Sequence, residues 1–218
     1  MLKAIKIKKT NGKSRILYFL LLLLITTNSM AQIEYKSVKE AKGLQVGDSV
    51  KNFEGVDLHD NIFELNEALH KGPVVVIFYR GQWCPFCNKH LSQLQDSLQM
   101  IYNKGASVIA ISPEKSEFLK QTAEKTHASF SLLYDEGYKI ADLFDVTFRP
   151  GGLARVIYNT ILRADLKNSH SDDSEQLPIP ATFIVGQDGK IVWRHFDPDY
   201  KKRSKIEDIV RNIPAKKK

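Results

Sequence analysis

The fold of this chain is decided by the stretch Pro73-Val-Val-Val-Ile-Phe-Tyr-Arg-Gly-Gln-Trp-Cys-Pro-Phe-Cys87. Its first part, residues 74–78, is an apolar and mostly β-branched run with the length of a buried central strand. After this stretch the pattern changes, and apolar residues recur at helical spacing at Leu91, Leu94, Leu98 and Ile101. The sequence therefore predicts that Cys84 and Cys87 lie where a buried strand leads into an amphipathic helix.

A position at the start of a helix has chemical consequences for the two cysteines. Unpaired backbone N–H groups and the positive end of the helix dipole lower the pKa of a cysteine in the first turn, and the thiolate is the reactive form. Pro85 suits the first turn because proline lacks the N–H that would be unpaired there anyway. The spacing also lets Cys87 close a disulfide with Cys84, so that one loop can store and release two electrons.

The alternatives for the cysteine pair are half of a zinc site and two inert core thiols. Zinc would need two further ligands, yet the chain has no other cysteine, and its histidines show no metal-ligand spacing. Only His90 lies within a helical turn of Cys87, and we expect it to be exposed to solvent. The six histidines are His59, His70, His90, His127, His170 and His195. The sequence thus predicts redox chemistry with no metal and no other cofactor.

The N-terminus has the pattern of an export signal. Six basic and no acidic residues precede an unbroken apolar run from Ile16 to Ile25, and small residues at Ser29 and Ala31 suit a signal peptidase. The apolar run is too short to span a bilayer, although an uncleaved anchor is the alternative. We therefore expect cleavage after Ala31, an exported protein of the periplasm or cell envelope, and no stable membrane insertion after cleavage.

Removal of this segment changes the charge of the protein. It carries much of the excess of basic residues behind the formal net charge of +7, so the charge is poor evidence for nucleic acid binding, and we expect none.

A disulfide between Cys84 and Cys87 would close a very short loop and add little stability, which favours a pair that is oxidised and reduced in turn. The predicted organisation is a signal peptide over 1–31, a leader over 32–43, one domain over 44–213 and a basic tail over 214–218.

The domain alternates short apolar runs with helical patterns. Two strands, around Phe53 and at residues 62–65, are predicted to form a β-hairpin at the edge of a sheet. The apolar run at 107–111 follows the cysteine helix, and a strand–helix–strand connection of this kind makes its two strands parallel. The sequence Ser-Pro-Glu at 112–114 predicts a capped start for a helix that ends near His127.

The second half of the domain adds an insertion and a further hairpin. A short strand is predicted at 130–134, with Asp135 as the cap of a brief helix. Residues 147–177 form a long insertion with a helix at 153–162, and such insertions are usually functional or mobile. A β-hairpin at 181–196 and a final helix complete an α/β domain with a central mixed sheet and helices on both faces.

Several short segments occur in a characteristic order and spacing. They are Val46-Gly-Asp48, Phe78-Tyr-Arg-Gly-Gln-Trp-Cys-Pro-Phe-Cys87, Val108-Ile-Ala-Ile-Ser-Pro-Glu114, Leu133-Tyr-Asp135, Pro178-Ile-Pro-Ala-Thr-Phe183 and Phe196-Asp-Pro-Asp-Tyr200. From about Leu44 to Tyr200 the chain resembles the peroxiredoxin-like AhpC/TSA (redoxin) branch of the thioredoxin superfamily. The resemblance implies a thioredoxin fold with an N-terminal β-hairpin extension.

The resemblance also implies roles for residues around the cysteine pair. Pro180 matches the cis-proline of thioredoxins, which faces the loop that carries the two cysteines. Together with Ile179 it would help to bind the backbone of a partner. Trp83 and Pro85, next to the pair, would complete that docking surface. A packing role is the alternative for Trp83.

The chain departs from the peroxiredoxin pattern at two positions. Peroxiredoxins carry Thr or Ser three residues before the peroxidatic cysteine. The peroxidatic cysteine corresponds to Cys87 here, and Cys84 occupies the position of the Thr or Ser. The arginine that polarises the peroxide corresponds to Pro180, and the strand before the cysteines lacks the buried aspartate of thioredoxins. Arg80 or Arg194 would supply the missing positive charge, although we expect both to be surface residues.

Two enzymatic functions remain open. A peroxiredoxin-like enzyme would reduce hydroperoxides through a sulfenic acid and a Cys84–Cys87 disulfide, with a thioredoxin-like protein as the reductant. A disulfide reductase would use Cys84 to attack a protein disulfide and Cys87 to release the mixed disulfide. A non-catalytic binding module is a third alternative. The resemblance favours the first function, a thiol-dependent antioxidant oxidoreductase.

Overall fold

A seven-stranded mixed sheet forms the centre of the computed structural model, which describes residues 34–215. The predicted signal peptide and the last three residues of the predicted tail lie outside the described residues. The strands are β1 (Glu54–Asp57), β2 (Ile62–Glu64), β3 (Val74–Phe78), β4 (Ser107–Ser112), β5 (Ser131–Tyr134), β6 (Thr147–Phe148), β7 (Leu177–Pro178), β8 (Ala181–Val185) and β9 (Ile191–Phe196). Between residues 34 and 215 no helix combines the length and the apolar character needed to cross a membrane.

The strands of the large sheet follow the order β2-β1-β5-β4-β3-β8-β9. The three central strands β3, β4 and β5 are parallel, as the strand–helix–strand pattern predicts, and the remaining pairs are antiparallel. The predicted β1–β2 hairpin lies at one edge and the β8–β9 hairpin at the other. Strand β3 is therefore internal, with Val76 opposite Ile109 of β4 and Phe183 of β8.

Helices cover both faces of the sheet, which confirms the predicted fold class. They are α1 (Leu65–Lys71), α2 (Pro85–Asp96), α3 (Leu98–Tyr102), α4 (Ser116–Thr126), α5 (Lys139–Leu143), α6 (Gly152–Thr160), α7 (Leu166–Ser169) and α8 (Ile206–Asn212). The predicted cysteine helix begins at Pro85, and its apolar pattern continues through α3 after a break at Ser97.

The sheet separates two apolar clusters, and β3 contributes to both because its side chains alternate between the faces. Val75 and Ile77 pack in the cluster that also contains the cysteines and buried residues of α2, α4 and α8. Val74 and Val76 pack in the other cluster, with residues of α1 and α5. A fully buried aliphatic side chain of this size stabilises a fold by roughly 1.5–3 kcal/mol relative to leaving it exposed, so β3 anchors both halves of the core.

The predicted helix start at residues 112–114 is wrong. Ser112 still belongs to β4, where it pairs with Tyr134 of β5, so it cannot cap a helix. The helix α4 begins later, at Ser116, after Lys115. A carboxyl oxygen of Glu114 instead accepts a hydrogen bond from the backbone N–H of Gln82, which ties this segment to the cysteine loop, residues 79–84 between β3 and α2.

Asp135 binds the first turn of α5 as predicted, although it does so from outside the helix, whose N-cap residue is Tyr138. Its carboxylate accepts hydrogen bonds from the backbone N–H groups of Ile140, at 2.7 Å, and Ala141, at 2.8 Å. These donors belong to the first turn of α5, where they would otherwise lack partners.

The insertion at 147–177 folds back onto the cysteine loop. Its two ends pair as the small β6–β7 sheet, with Thr147 opposite Pro178. The predicted helix is present as α6, and the ring of its residue Tyr158 packs on the indole of Trp83 with 5.2 Å between the ring centroids. The insertion therefore forms part of the wall around the cysteines.

Candidate active site

The two cysteines lie at the carboxyl end of β3, where the chain enters α2. Cys84 is the N-cap residue of α2 and Pro85 occupies its first turn, as the sequence predicts. Both cysteines are free thiols and both are buried. The sulfur of Cys84 accepts a hydrogen bond from the backbone N–H of Cys87 at 3.4 Å, so the helix terminus points a donor at this sulfur.

Arg80 lies next to Cys84, and its expected surface position is wrong. The residue is 1% exposed, and its Nη2 donates to the sulfur of Cys84 at 3.3 Å. The guanidinium group is enclosed by three rings, at 3.8 Å from the ring centroid of Tyr200, 4.9 Å from that of Trp83 and 5.0 Å from that of Tyr158. A buried positive charge needs such compensation from aromatic faces and a negative partner.

A second arginine, Arg203, reaches both sulfurs from a distant part of the chain. Its Nη2 lies 3.3 Å from the sulfur of Cys87 and 4.0 Å from that of Cys84. Arg203 follows β9 and precedes α8. Arg203 was not identified from the sequence. This residue lies just after the segment that resembles the family, which ends at Tyr200, and no local pattern indicates that an arginine there reaches the cysteines.

Arg194, the other arginine considered for this role, serves elsewhere. It is on β9, and its Nη1 donates to the backbone carbonyls of Lys42 and Gly43, both at 3.0 Å, and of Leu44, at 2.8 Å. Its guanidinium group therefore ties the segment before β1 to the sheet edge. The positive charge at the cysteines comes from Arg80 and Arg203.

The surroundings separate the pKa values of the two thiols. Burial alone would raise the pKa of Cys84, but the hydrogen bond from Cys87 and the charges of Arg80 and Arg203 outweigh it and bring the pKa well below its usual value. Burial raises the pKa of Cys87, and the neighbouring negative charge of Cys84 raises it further. Cys84 is thus the thiolate and Cys87 the protonated thiol.

A buried carboxyl group, Glu114, adjoins the cysteine loop and was also missed. One oxygen accepts from Gln82 N–H at 2.7 Å, and the other, Oε1, is buried with no hydrogen-bond partner among the described residues. Burial raises the pKa of Glu114 to about 8; the Gln82 hydrogen bond and the charge of Lys125 lower it less, and the charge of Cys84 adds to the rise. An acidic residue therefore lies beside the cysteine loop, although it follows β4 and does not come from β3, the strand that lacks the buried aspartate of thioredoxins.

The predicted docking residues are mostly buried. Pro85 is exposed, whereas Trp83, Ile179 and Pro180 are buried. Ile179 belongs to the core cluster on the cysteine side of the sheet, and its N–H donates to the carbonyl of Val146 at 2.7 Å. These contacts place Ile179 in the interior rather than on a docking surface. Trp83 belongs to the same core cluster, which agrees with the alternative of a packing role for this residue.

The expected cis peptide bond at Pro180 is wrong, because every peptide bond between residues 34 and 215 is trans. The trans isomer is the intrinsically preferred form of a bond before proline. Here it carries the chain in an extended path from β7 into β8, which begins at Ala181.

The expected exposure of His90 is wrong as well. The residue is 5% exposed, on the inner face of α2, and its Nε2 shares a hydrogen bond with the hydroxyl of Ser204 at 3.1 Å. Burial lowers the pKa of His90 to about 4, with a further contribution from the charge of Arg203. Within residues 34–215 there is no group of three or more His, Cys, Asp or Glu side chains that could hold a metal ion.

The protein thus has a thioredoxin fold in which a thiolate lies at the N-terminus of a helix and a protonated thiol lies one turn further on. The sequence profile of the AhpC/TSA family matches residues 46–194, and the chain belongs to this family.

Relatives of two kinds are similar to this chain. Thiol-disulfide oxidoreductase ResA of Bacillus cereus is 23% identical over 182 residues, which is 83% of this chain and 87% of the relative. Peroxiredoxin Bcp of Escherichia coli is 29% identical over 139 residues, 64% of this chain and 76% of the relative. The peroxidoxin BcpB structure from Mycobacterium tuberculosis shares the fold, with a TM-score of 0.59, 22% identity and coverage of 78% of this chain and 96% of that one. The chain is therefore an oxidoreductase of the thiol-dependent redoxin family.

Proposed function

We propose that the protein is a thiol-disulfide oxidoreductase in which Cys84 attacks a disulfide of another molecule. The observation that carries this proposal is the convergence of Arg80, Arg203 and the N–H of Cys87 on the sulfur of Cys84. Charge-assisted hydrogen bonds of this kind stabilise a thiolate, which is the nucleophile in thiol-disulfide exchange. Cys87, one turn into α2 and protonated, is in the position of the second thiol.

The reaction transfers two electrons in two exchange steps. The Cys84 thiolate attacks one sulfur of the substrate disulfide; a mixed disulfide forms, the substrate S–S bond breaks, and the other substrate sulfur leaves as a thiolate that takes up a proton. Cys87 then loses its proton and attacks Cys84, so that the Cys84–Cys87 bond forms and the first substrate sulfur leaves as a thiolate. A thioredoxin-like dithiol reductant restores the pair by the same chemistry in reverse.

Reduction of hydroperoxides is the second candidate, and a specific feature favours it. Two guanidinium groups at the sulfurs supply the positive charge that is missing at Pro180. Here the Cys84 thiolate attacks a peroxide oxygen, the O–O bond breaks, and an alcohol or water leaves. The Cys84 sulfenic acid then condenses with the thiol of Cys87, with loss of water. The deep burial and raised pKa of Cys87 argue against Cys87 as the first nucleophile, although it occupies the peroxidatic position of the family.

Export to the periplasm or cell envelope is part of the proposal and is supported by the pattern of residues 1–31. A compartment where protein disulfides are formed would provide substrates for a reductase. The reductant would have to be a thioredoxin-like protein or domain available in the same compartment.

Two assays on one preparation separate the candidate functions. The first follows how far the protein accelerates the reduction of insulin disulfides by dithiothreitol, because a thioredoxin system would reduce insulin by itself. The second follows the consumption of hydrogen peroxide with a thioredoxin system as the electron source. We expect disulfide reduction that is lost in Cys84→Ser, whereas Cys87→Ser should accumulate a mixed disulfide between Cys84 and the substrate. Rapid peroxide consumption without insulin reduction would favour the second candidate, and activity that survives Cys84→Ser would contradict both.

A further inference from the structure

Both reactive sulfurs are closed off from solvent. Cys84 is 0% and Cys87 is 1% exposed, so neither can meet a substrate in this arrangement. Part of the enclosure comes from residues 197–203, which lie in the connection from β9 to α8 and which we call the cover segment. Its residues Tyr200 and Arg203 contact the groups around the cysteines.

The middle of the cover segment is held mainly by groups of the active site. Tyr200 stacks on the guanidinium group of Arg80 at 3.8 Å and packs edge-on against Phe86 with 5.7 Å between the ring centroids. Arg203 donates to the sulfurs of Cys87 and Cys84. Its Nε and Nη1 are buried, and neither finds a hydrogen-bond partner in the described part of the chain. The two sulfurs are thus the hydrogen-bond acceptors that hold this side chain.

The two ends of the cover segment are fixed independently of the sulfurs. At one end Phe196 is the last residue of β9, paired with Ala181 of β8. At the other end Ser204 is buried, and its hydroxyl shares hydrogen bonds with Thr182, at 2.9 Å, and with His90, at 3.1 Å. The segment can therefore move in its middle while its ends stay in place.

We propose that Arg203 is a further catalytic residue and acts as a redox-sensitive clasp: its guanidinium group holds the cover segment over the reduced cysteines and releases it when the Cys84–Cys87 disulfide forms. The proposal rests on the proposed function, because it requires that the two sulfurs alternate between the dithiol and the disulfide. It applies equally to a disulfide substrate and to a hydroperoxide substrate.

The physical reason is a change of charge at the acceptor. Formation of the disulfide removes two electrons and one proton from the thiolate and the thiol; the substrate disulfide or hydroperoxide takes up the electrons. The product is uncharged, so the charge-assisted hydrogen bonds of Arg203 are lost. Arg203 is partly buried, with Nε and Nη1 shielded from water and without hydrogen-bond partners in the described part of the chain. Without a negative partner this arrangement is costly, and exposure of the guanidinium group to water relieves the cost. Arg80 feels the same change, but the rings of Trp83 and Tyr158, which do not belong to the cover segment, still flank its guanidinium group.

The clasp has two opposite effects on the reduced enzyme. It raises the share of Cys84 that is ionised, and it keeps that thiolate covered except during brief openings. In the oxidised enzyme the released segment exposes the disulfide to the dithiol reductant. Loss of Arg203 should therefore make Cys84 more accessible and less acidic at the same time, a combination that a merely structural role would not produce.

Several ionisable groups act on the two sulfurs, and only one of them is changed by substitution of Arg203. The other groups that act on the sulfurs are Arg80 and Tyr79 after β3 and Glu114 after β4, whereas His90 of α2 and His195 of β9 face Arg203 itself. They are the same in the wild type and in every Arg203 variant. A shift in the titration of Cys84 between these proteins therefore reports the charge of residue 203.

The first test follows alkylation of the reduced full chain by iodoacetamide as a function of pH, with the modified cysteine identified by mass spectrometry. In Arg203→Gln we expect the midpoint for Cys84 to rise by about one to two pH units, as for loss of an opposite charge at this distance. The limiting rate of Cys84 alkylation at high pH should rise on the order of tenfold, because one charge-assisted hydrogen bond no longer holds the cover segment closed. Arg203→Lys should restore the midpoint in large part, and Lys205→Gln, an exposed neighbour, should match the wild type. An unchanged midpoint in Arg203→Gln would overturn the proposal.

The second test compares hydrogen exchange of peptides that span the cover segment in the reduced and the oxidised wild type. We expect exchange to be faster, on the order of tenfold, in the oxidised protein, and equally fast in both states of Arg203→Gln. If the disulfide forms and turns over but the segment is equally protected in both states, the clasp is refuted while the proposed function stands. If oxidation never joins Cys84 to Cys87, the proposed function fails, and the clasp fails with it.

Discussion

The carboxyl group of Glu114 shows how burial in this protein alters the properties of a single residue. It is 0% exposed and contacts the backbone of the cysteine loop, and burial raises its pKa to about 8. A carboxyl group whose pKa is raised in the folded state stabilises the fold fully below its ordinary pKa, and this contribution is lost as the pH rises through the folded-state value. The protonated form of Glu114 is therefore the one that suits the fold.

Replacement of this residue should change how the stability depends on pH. Between about pH 5 and pH 8 the group lowers the free energy of unfolding of the wild type by up to about 1.4 kcal/mol for each pH unit. Glu114→Gln keeps an acceptor for Gln82 N–H but does not ionise, so it should match the wild type near pH 5 and become the more stable protein at pH 8. Urea denaturation at several pH values measures the difference.

The control for this series is Glu117→Gln, at an exposed position on α4. Other groups that titrate in this range are common to all three proteins and cancel in the comparison. A difference in unfolding free energy between the wild type and Glu114→Gln that does not vary with pH would show that Glu114 is ionised throughout.

The loop between β3 and α2 depends on a glycine at one position. Gly81 has a φ of +150°, and a Cβ atom there would lie 2.4 Å from Oε1 of Glu114 and 2.5 Å from Nε1 of Trp83. Both neighbours are themselves held, Glu114 by Gln82 and Trp83 by Tyr158. The loop can therefore pass between them only without a side chain at residue 81.

We expect Gly81→Ala to destabilise the protein by about 1–3 kcal/mol, from the backbone conformation and the displaced neighbours. It should also slow alkylation of Cys84, because the loop that carries Arg80 would shift. Urea denaturation and the alkylation rate measure the two effects. The matched control is Gly151→Ala, where φ is −60° and no atom lies within 4 Å of the added Cβ. Equal stability of Gly81→Ala and the wild type would contradict the steric argument.

At the scale of the whole molecule, the central sheet couples two apolar clusters into one core. Leu91 of α2 is fully buried in the cluster that contains the cysteines, and Phe144, after α5, is fully buried in the other. The clusters share β3, whose side chains alternate between them. Loss of packing on one face should therefore destabilise both faces.

Leu91→Ala and Phe144→Ala should each lower the free energy of unfolding, by about 2–5 and about 3–5 kcal/mol respectively. In both variants, urea denaturation followed by tryptophan fluorescence and by far-ultraviolet circular dichroism should show one transition with coincident midpoints. Met100→Ala, at an exposed position on α3, serves as the control. Two separate transitions would show that the faces unfold independently.

Sequence patterns predict those parts of this protein that depend on neighbouring residues. The apolar run before the cysteines predicted β3, and the helical spacing after them predicted α2, with Cys84 and Pro85 at its start. These features are local, because strand and helix periodicity and a helix cap are properties of a few consecutive residues. The order of the segments also predicted the α/β class and the family.

The surroundings of the two sulfurs, in contrast, depend on how the chain folds. Arg203 and Tyr200 come from the far end of the chain, and Glu114 comes from the end of a neighbouring strand, where its sequence had suggested a helix. Arg80 and Arg194 look alike as residue types, yet one is buried against Cys84 and the other binds carbonyl groups at the sheet edge. Strand order brings such distant residues together, and because no local pattern records that order, the charges that set the reactivity of Cys84 are visible only in the fold.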